Sequence, residues 1–249
     1  MIDDSSNNNA IIKITSDKLI RYSNNLVRRT IENIENKTCI DVEGNSYKTV
    51  KIGDQIWMAE NLNVSLFRNG DSIPEARTDA GWRKAGKEGT PAWCYYDNKS
   101  ENGNKYGRLY NWYAVNDKRG LAPEGWHIPT IEELQILNDA VDNNSNSLIE
   151  IGQGNNEPVE LRVLRAILGE TSQETNKGVG TNKSGFSALL AGYRAEEGDF
   201  SVLGGFTDFW SSTVIKKRIR TMSLHESNNK IYHYAYNKWR ACYVRCIKD

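Results

Sequence analysis

The sequence predicts an α+β domain that contains much irregular structure. Apolar residues alternate over short runs bounded by Gly, Asn and Asp, a pattern typical of short strands. Few segments show the apolar spacing of an amphipathic helix. The long segment 64–104 is rich in Gly, Asn, Asp and Lys and contains isolated Trp and Tyr residues, which typically hold irregular loops against a core. Short strands, few helices and aromatic-anchored loops together favour this fold class.

The length and composition limit the number of domains and the class of protein. The chain has 249 residues, enough for one large domain or one domain with an appendage. Hydrophobic residues make up 38% and aromatic residues 10%, which suffices for a packed core and excludes a disordered chain. No run approaches the ~18 apolar residues of a membrane span, and residues 1–9 have neither the basic nor the apolar region of an export signal. We therefore expect a soluble chain without a membrane span.

Residues 1–38 are predicted to form a disordered lead followed by an amphipathic helix. The first part is polar and rich in Asn. Ser16 and Asp17 are suitable N-cap residues, and apolar residues recur at helical spacing from Leu19 to Ile34. The pattern is shorter than the ~3–4 heptads that a coiled coil needs. Two interpretations remain open: the helix joins copies of the chain into a homo-oligomer or attaches it to a larger assembly, or it packs on its own domain.

Residues 39–249 are predicted to form the α+β domain. Gly-Asn and Gly-Asp dipeptides mark the turns of two hairpins, over 42–50 and 51–58. A short helix is expected within 106–115. These local patterns precede the strongest helix signal of the chain.

That signal begins at Thr130, a predicted N-cap residue. Glu133 stands three positions later and completes a capping box, so the helix is expected to run to about Val141. A second helical pattern covers 159–168. Beyond Gly178 the chain returns to short strands and to Gly-rich segments that we interpret as turns, because they lack the residues that bind phosphate.

Seven segments resemble, in the same order, the motifs of the Fibrobacter succinogenes major paralogous domain family. They are 47–62 (YKTVKIGDQIWMAENL), 106–115 (YGRLYNWYAV), 123–130 (PEGWHIPT), 181–189 (TNKSGFSAL), 192–194 (GYR), 209–213 (FWSST) and 244–246 (VRC). The resemblance covers residues 39–249 and leaves out the first 38.

This resemblance implies a C-type-lectin-like fold. That fold is shared distantly with formylglycine-generating enzymes and with the variable proteins of diversity-generating retroelements. In those variable proteins, a C-terminal segment on a rigid scaffold carries the diversified ligand-binding residues. One fold hosts many functions, so the function depends on the residues of each candidate site.

The cysteines are the first candidates for chemistry. Cys39, Cys94, Cys242 and Cys246 are too few for a disulfide scaffold. By resemblance, Cys242 and Cys246 suggest an oxidase, because formylglycine-generating enzymes use a nearby cysteine pair to hold copper. In a strand, however, residues four apart are separated by about 13 Å, too far for one metal ion or a disulfide. We therefore expect buried thiols, or a disulfide of either one with Cys94, and neither a cofactor nor an enzymatic activity.

The histidines and the calcium-binding motifs of lectins are the other candidates for a chemical site. His127 lies inside a family motif and is expected to be a hydrogen-bonded core residue, whereas His225 and His233 are expected to make surface contacts. The calcium-binding motifs of true C-type lectins are missing, because Glu157-Pro158 is followed by Val, and the Trp of 106–115 is not followed by Asn-Asp. We expect no metal site.

The C-terminal segment concentrates charge and aromatic residues. Residues 214–249 contain nine Lys and Arg residues against two acidic residues, a net charge of +7, so the rest of this formally neutral chain carries −7. Tyr232, Tyr234 and Tyr236 alternate, which in a strand presents three phenol rings on one face. Tyr, Trp and Arg dominate binding surfaces. The segment is therefore interpreted as a contact surface, the alternative being an ordinary solvated face with one buried row.

We predict that segment 214–243 binds the ligand while a set of aromatic residues packs the scaffold. A one-residue slip in strand register would exchange inward and outward residues. The predicted scaffold residues are Trp57, Trp112, Trp126, Phe186 and Trp210. The predicted ligand-binding residues are Arg218, Arg220, Ser223, His225, Tyr232, Tyr234, Tyr236, Trp239 and Arg240.

The expected function is non-enzymatic ligand binding, as an adhesin or receptor-binding module with a retroelement-diversified surface. The partner is expected to be a protein or a glycan, with an anionic ligand favoured by the basic tail. Polyanion or nucleic-acid binding through that tail is the first alternative, and the oxidase is the second. The resemblance also implies an extracellular, cell-surface or virion location.

Overall fold

A computed structural model describes residues 38–150 and 180–249, together with Arg21. The chain divides into two compact units, Met1–Thr38 and Cys39–Asp249. The predicted N-terminal helix lies outside the described residues apart from Arg21, which is helical and exposed. The helical pattern at 159–168 also lies outside them.

Residues 38–150 and 180–249 contain four α-helices and three sheets, which confirms the α+β class. The helices are α1 (Asp79–Glu88), α2 (Ser100–Tyr106), α3 (Trp112–Val115) and α4 (Ile131–Ala140). The strands are β1 (Thr38–Ile40), β2 (Ser46–Ile52), β3 (Gln55–Met58), β4 (Trp93–Cys94), β5 (Leu109–Tyr110), β6 (Trp126–His127), β7 (Ala191–Arg194), β8 (Phe200–Leu203), β9 (Phe206–Ile215), β10 (Arg218–His225), β11 (Ala235–Tyr236) and β12 (Ile247–Lys248).

Two five-stranded sheets organise the domain, with strand orders β1-β2-β3-β12-β6 and β11-β10-β9-β7-β8. In the first sheet, β12 from the end of the chain inserts between β3 and β6, where Ile247 pairs with Trp57 and His127. In the second sheet, β9 and β10 form a long antiparallel hairpin. The third sheet contains only β4 and β5. The C-terminal segment therefore contributes to both large sheets.

The hairpin predicted at 51–58 is confirmed, because β2 and β3 pair across Gly53. The hairpin predicted at 42–50 also forms, because β1 and β2 are neighbours across Gly44-Asn45, but its first strand lies earlier in the chain than expected. The Asp41 carboxylate accepts hydrogen bonds from the backbone amides of Glu43 and Asn45, at 2.9 and 3.0 Å. This Asx-type turn occupies 41–45, so the first strand ends earlier, at Ile40.

Helix α1 lies in the segment that the sequence pattern indicated as irregular. Thr78 caps it by accepting a hydrogen bond from the Gly81 amide at 3.0 Å, and Gly89 ends it with a φ of 69°. Two glycines within the helix weaken its apolar pattern, although Trp82 is fully buried. The helix predicted within 106–115 is shorter than expected, because β5 occupies its first half.

The predicted start of α4 is confirmed in detail. The Thr130 hydroxyl accepts from the Glu133 amide at 3.2 Å, and the Glu133 carboxylate accepts from the Thr130 amide at 2.8 Å. The same carboxylate also contacts His127 Nε2 at 2.8 Å, while His127 Nδ1 contacts Asp249 at 2.6 Å. His127 is hydrogen-bonded as predicted, but its side chain is 38% exposed rather than part of the core.

All five predicted scaffold aromatics are buried, which confirms their assignment: Trp57, Trp112, Trp126, Phe186 and Trp210. Trp210 also donates a hydrogen bond from Nε1 to the Tyr110 carbonyl at 2.8 Å, which ties β9 to β5. Buried indole nitrogens need such acceptors, so the ring is fixed in position as well as packed.

The guanidinium of Arg245 is buried within the domain, and the residue is 2% exposed. It donates to the carbonyls of Met58 and Ser187, at 3.2 and 2.9 Å, and also to the carbonyl of Phe186. Its Nε donates to Asn61 Oδ1 at 2.6 Å. Burial lowers the pKa of Arg245 to about 9, and among the described residues no carboxylate pairs with it. Backbone and amide dipoles therefore solvate this charge.

We predict that Arg245→Met lowers the free energy of unfolding by about 3–5 kcal/mol, because four buried acceptors lose their donor. Urea denaturation at neutral pH measures the change. Arg218→Met is the matched control, because Arg218 is exposed and its loss should change stability by less than about 0.5 kcal/mol. A loss below about 1 kcal/mol for Arg245→Met would contradict this role.

We also predict a pH-dependent contribution from His127. Burial alone lowers the pKa of His127, but hydrogen bonds to Asp249 and Glu133 outweigh it and raise the pKa above the usual 6.5. The stabilisation is therefore fully present below 6.5 and is lost as the pH rises through the raised value.

The free energy of unfolding of His127→Gln, measured by denaturation, should accordingly differ from that of the wild type more at a pH of about 5.5 than at about 9. An equal difference at both values would assign His127 a purely structural role.

Candidate ligand-binding surface

One face of the second sheet collects aromatic side chains from three strands. Phe206 pairs with His225, and Asp208 pairs with Ser223, so these four residues share a face of the β9–β10 hairpin. Tyr232 bonds to Ser223 through the backbone at 2.8 and 3.0 Å and extends the same face. We call this face the aromatic surface.

The rings of the aromatic surface contact one another in a continuous chain. Tyr232 and Tyr234 stack with centroids 5.7 Å apart and planes inclined by 7°, and Tyr234 lies 6.0 Å from Tyr236. His225 lies 5.3 Å from Tyr232 and 4.5 Å from Phe206, in edge-to-face geometry. These contacts confirm that the three alternating tyrosines share one face, and they hold each ring in a defined position.

Arg240 closes this chain of rings. Its guanidinium lies over the rings of Tyr193 and Tyr236, at 3.5 and 3.8 Å from their centroids, and Tyr193 in turn contacts Phe206 at 5.6 Å. Arg240 also donates from Nε and Nη2 to Asp208, at 3.1 and 2.8 Å. The cation is therefore held between two phenol rings and a carboxylate.

Asp208 forms the floor of the aromatic surface. It is fully buried, and it accepts a short hydrogen bond from the Ser223 hydroxyl as well as the two from Arg240. Burial raises the pKa of Asp208 to about 6, against the opposing effects of Arg240 and Ser223. Burial also lowers the pKa of His225 and raises that of Tyr236. At neutral pH the surface thus carries one internally paired cation, and these flanking rings are uncharged.

Five of the predicted ligand-binding residues are brought together on this surface. They are His225, Tyr232, Tyr234, Tyr236 and Arg240. The first four are half-buried, whereas Arg240 is largely buried beneath them. Ser223 is fully buried and donates to Asp208, so it supports the floor and does not face outward.

Three predicted residues lie elsewhere. Trp239 packs against α1, where a Cβ at Gly86 would lie 2.6 Å from its ring. Arg218 is exposed at the turn between β9 and β10. Arg220 pairs with Ala235, out of phase with the tyrosines, so it lies on the opposite face of the sheet. The alternation likewise places His233 opposite Tyr232 and Tyr234.

Sequence reasoning missed Tyr193, Phe206 and Asp208. All three lie before position 214, where the basic segment begins, and only the folded structure brings them to it. The local sequence Phe-Thr-Asp-Phe at 206–209 does not alternate apolar and polar residues, so it gave no signal for this face.

All four cysteines are free and buried. The disulfide to Cys94 that the sequence left open is therefore wrong, and the buried thiols are confirmed. Burial raises the pKa of Cys39 and Cys94 to about 12, and raises those of Cys242 and Cys246 well above the usual value. Within 38–150 and 180–249, no three metal-ligating side chains come together.

The described residues contain no helix that is long and apolar enough to span a membrane. They define an α+β domain with an aromatic surface on its C-terminal strands. A profile of the Fibrobacter succinogenes major domain matches residues 50–248. The chain therefore belongs to this family. No curated protein and no solved structure matches the chain.

We predict that Asp208→Asn lowers the free energy of unfolding by about 3–5 kcal/mol, because it leaves the Arg240 cation buried without a counter-charge. Asp199→Asn, at an exposed aspartate, is the matched control. The double variant Asp208→Asn/Arg240→Gln should regain part of the loss, since it removes both charges. If denaturation finds the double variant less stable than Asp208→Asn, the pairing is not the source of the effect.

Proposed function

We propose that the domain is a non-enzymatic ligand-binding module on a C-type-lectin-like fold, and that the aromatic surface is its binding site. The observation that carries this proposal is the continuous chain of half-buried rings closed by Arg240 above a buried carboxylate. Tyr and Arg are enriched in binding hot spots because they combine apolar area with hydrogen-bonding groups.

Pre-organisation supports this assignment. The stacked pair of Tyr232 and Tyr234 is braced by His225 on one side and by Tyr236 on the other. Rings that are already held in place lose little conformational entropy when a ligand arrives, so more of the contact energy appears as affinity.

Charge favours an uncharged ligand at this surface, a peptide segment or a neutral glycan. The cation within the surface, Arg240, already pairs with Asp208. An anion would have to compete with that buried carboxylate, whereas the outward parts of the half-buried phenol rings can pack on apolar faces and donate hydrogen bonds. The anionic ligand favoured by the net charge of the tail is therefore not the one we propose here.

Polyanion binding by the whole tail is less well supported. Of its nine cations, Arg245 lies in the core and Arg240 is paired. Lys238 lies over the ring of Trp112, 4.9 Å from the centroid. The cations thus do not share one exposed face with the tyrosines, as nucleic-acid stacking would require.

Oxidase chemistry is the other alternative. A reactive or metal-binding cysteine acts as the thiolate. Burial holds the pKa of Cys242 and Cys246 well above the usual value, which opposes thiolate formation at neutral pH. We therefore propose no enzymatic role for them.

The family resemblance extends the proposal to diversification and location. We propose that the ligand is met outside the cell, at a cell surface or on a virion, and that the codons of the surface are diversified. A downstream near-repeat of the codons for 210–249, differing at adenines and lying beside a reverse transcriptase gene, tests diversification. If no such repeat is present, diversification is refuted and the binding proposal is unaffected.

The binding proposal is tested by selecting ligands for the full chain from a phage-displayed peptide library and a glycan array. Selected ligands should bind Tyr232→Ser/Tyr234→Ser at least about tenfold more weakly than the wild type, since hot-spot truncations cost more than ~1.4 kcal/mol. Calorimetric titration measures the affinities, and an uncharged ligand should bind almost equally well at low and high salt.

Tyr95→Ser/Tyr113→Ser is the control, because both residues are half-buried tyrosines outside the aromatic surface. Equal affinity of both double variants would overturn the proposal. A strong dependence on salt, with heparin as the preferred probe, would favour the polyanion alternative instead.

A further inference from the structure

The turn between β9 and β10 forms a second candidate surface, separate from the aromatic surface. We call residues 214–218 the hairpin tip. Val214 and Ile215 end β9, Lys216 and Lys217 form a two-residue loop, and Arg218 begins β10. All five residues are exposed.

The two aliphatic residues of the hairpin tip are unusually exposed for their type. Val214 is 45% exposed and Ile215 is 47% exposed. They are consecutive residues of one strand, so their side chains point to opposite faces of the hairpin. The tip therefore presents an apolar side chain on both faces.

The cations of the hairpin tip have no local counter-charges. Lys216, Lys217 and Arg218 are consecutive, and no acidic residue occurs from 209 to 225. None of the three forms an ion pair with a described residue. The tip is thus locally cationic in a chain whose formal charge is zero.

Backbone geometry does not explain why lysines occupy the loop. Lys216 has a φ of 48° and Lys217 a φ of 67°, both in the left-handed region. Two-residue hairpin loops with this geometry strongly prefer Asn-Gly, because Asn and especially Gly adopt it at low cost. The turn would be more stable with Asn-Gly in place of the two lysines, so the lysines suit an interaction better than they suit the turn.

We infer that the hairpin tip binds the surface of an anionic phospholipid bilayer. Its three cations suit the negative headgroups, each adding roughly fivefold to the affinity. The aliphatic side chains of Val214 and Ile215 can then leave water at the boundary with the acyl chains.

The two-sided apolar character favours a bilayer over an acidic protein. A protein partner would cover one face of the hairpin and leave the aliphatic side chain on the other face in water. A bilayer surrounds an inserted tip, so both Val214 and Ile215 become buried. Because the contact is small, binding should be reversible and should depend on anionic lipid.

The test is co-sedimentation of the full chain with two kinds of vesicle, pure phosphatidylcholine and an equimolar mixture of phosphatidylcholine and phosphatidylglycerol. We expect binding to the mixed vesicles alone, weakened at high salt because the cations are screened.

Lys216→Asn/Lys217→Gly is the decisive variant. It supplies the residues that the turn prefers, so the domain should remain folded, yet it removes two cations and should weaken vesicle binding roughly 25-fold. Unchanged binding by this folded variant would overturn the inference.

The aliphatic contribution has a matched control. Val214→Ser/Ile215→Ser should weaken binding at least about tenfold, whereas Val202→Ser/Leu203→Ser should leave it unchanged. Val202 and Leu203 are 47% and 45% exposed, so the two pairs match in chemistry and exposure but differ in their neighbouring cations. Equal effects of the two pairs would also count against the hairpin tip.

Two further outcomes would overturn the inference. One is equal binding to both kinds of vesicle, and the other is no binding to either. If, in addition, immobilised poly-glutamate captured the wild type but not Lys216→Asn/Lys217→Gly, the tip would instead be assigned to an acidic protein partner. None of these outcomes bears on the aromatic surface, whose tyrosine variants keep the hairpin tip intact.

Discussion

The buried guanidinium of Arg245 is the interaction on which the domain depends. It joins β3, through the Met58 carbonyl, to the 186–187 segment and to the C-terminal chain, and it lies over the ring of Phe186. No local element could hold these segments together, because they are far apart in sequence. A charge solvated by carbonyls at fixed positions permits one arrangement of those segments, since each displaced carbonyl would leave a donor unpaired. The three segments lie in separate family motifs, which explains how one physical requirement appears as several distant sequence signals.

Two other buried arginines, Arg194 and Arg240, also hydrogen-bond to groups from distant segments. Arg194 is fully buried, donates to the carbonyls of Ala76 and Gly198 at 2.7 Å and pairs with Asp79 at 3.0 Å, which ties β7 to α1. Arg240 pairs with Asp208 under the aromatic surface. Each guanidinium also contacts aromatic rings, so its flat faces are covered while its edges are hydrogen-bonded. Two of the nine cations in the C-terminal segment, Arg240 and Arg245, are therefore structural, and net charge alone does not identify the partner.

The sequence predicted best the features that depend on near neighbours. The capping box of α4 and the β2–β3 hairpin depend on residues a few positions apart, and both form as expected. The alternation of Tyr232 and Tyr234 correctly indicated a shared face. Prediction failed where partners are distant: Arg240 is buried by its pairing with Asp208, and Trp239 packs against α1 instead of the aromatic surface. Helix α1 was not predicted because its buried face contains one large side chain, Trp82, beside Ala85 and Gly86, so its apolar pattern is weak in the sequence.

The four buried thiols determine how the folded domain responds to oxidants. In the folded domain they are protonated and inaccessible, so external oxidants do not reach them. They become reactive when the surrounding structure opens, because oxidation requires access as well as a thiolate. The cysteines lie in three separate segments of the packed domain, with Cys242 and Cys246 in the same one, so the rate of oxidation depends on how often the domain opens. The resistance of the four thiols to oxidation is thus determined by the packing around them, because no disulfide protects them.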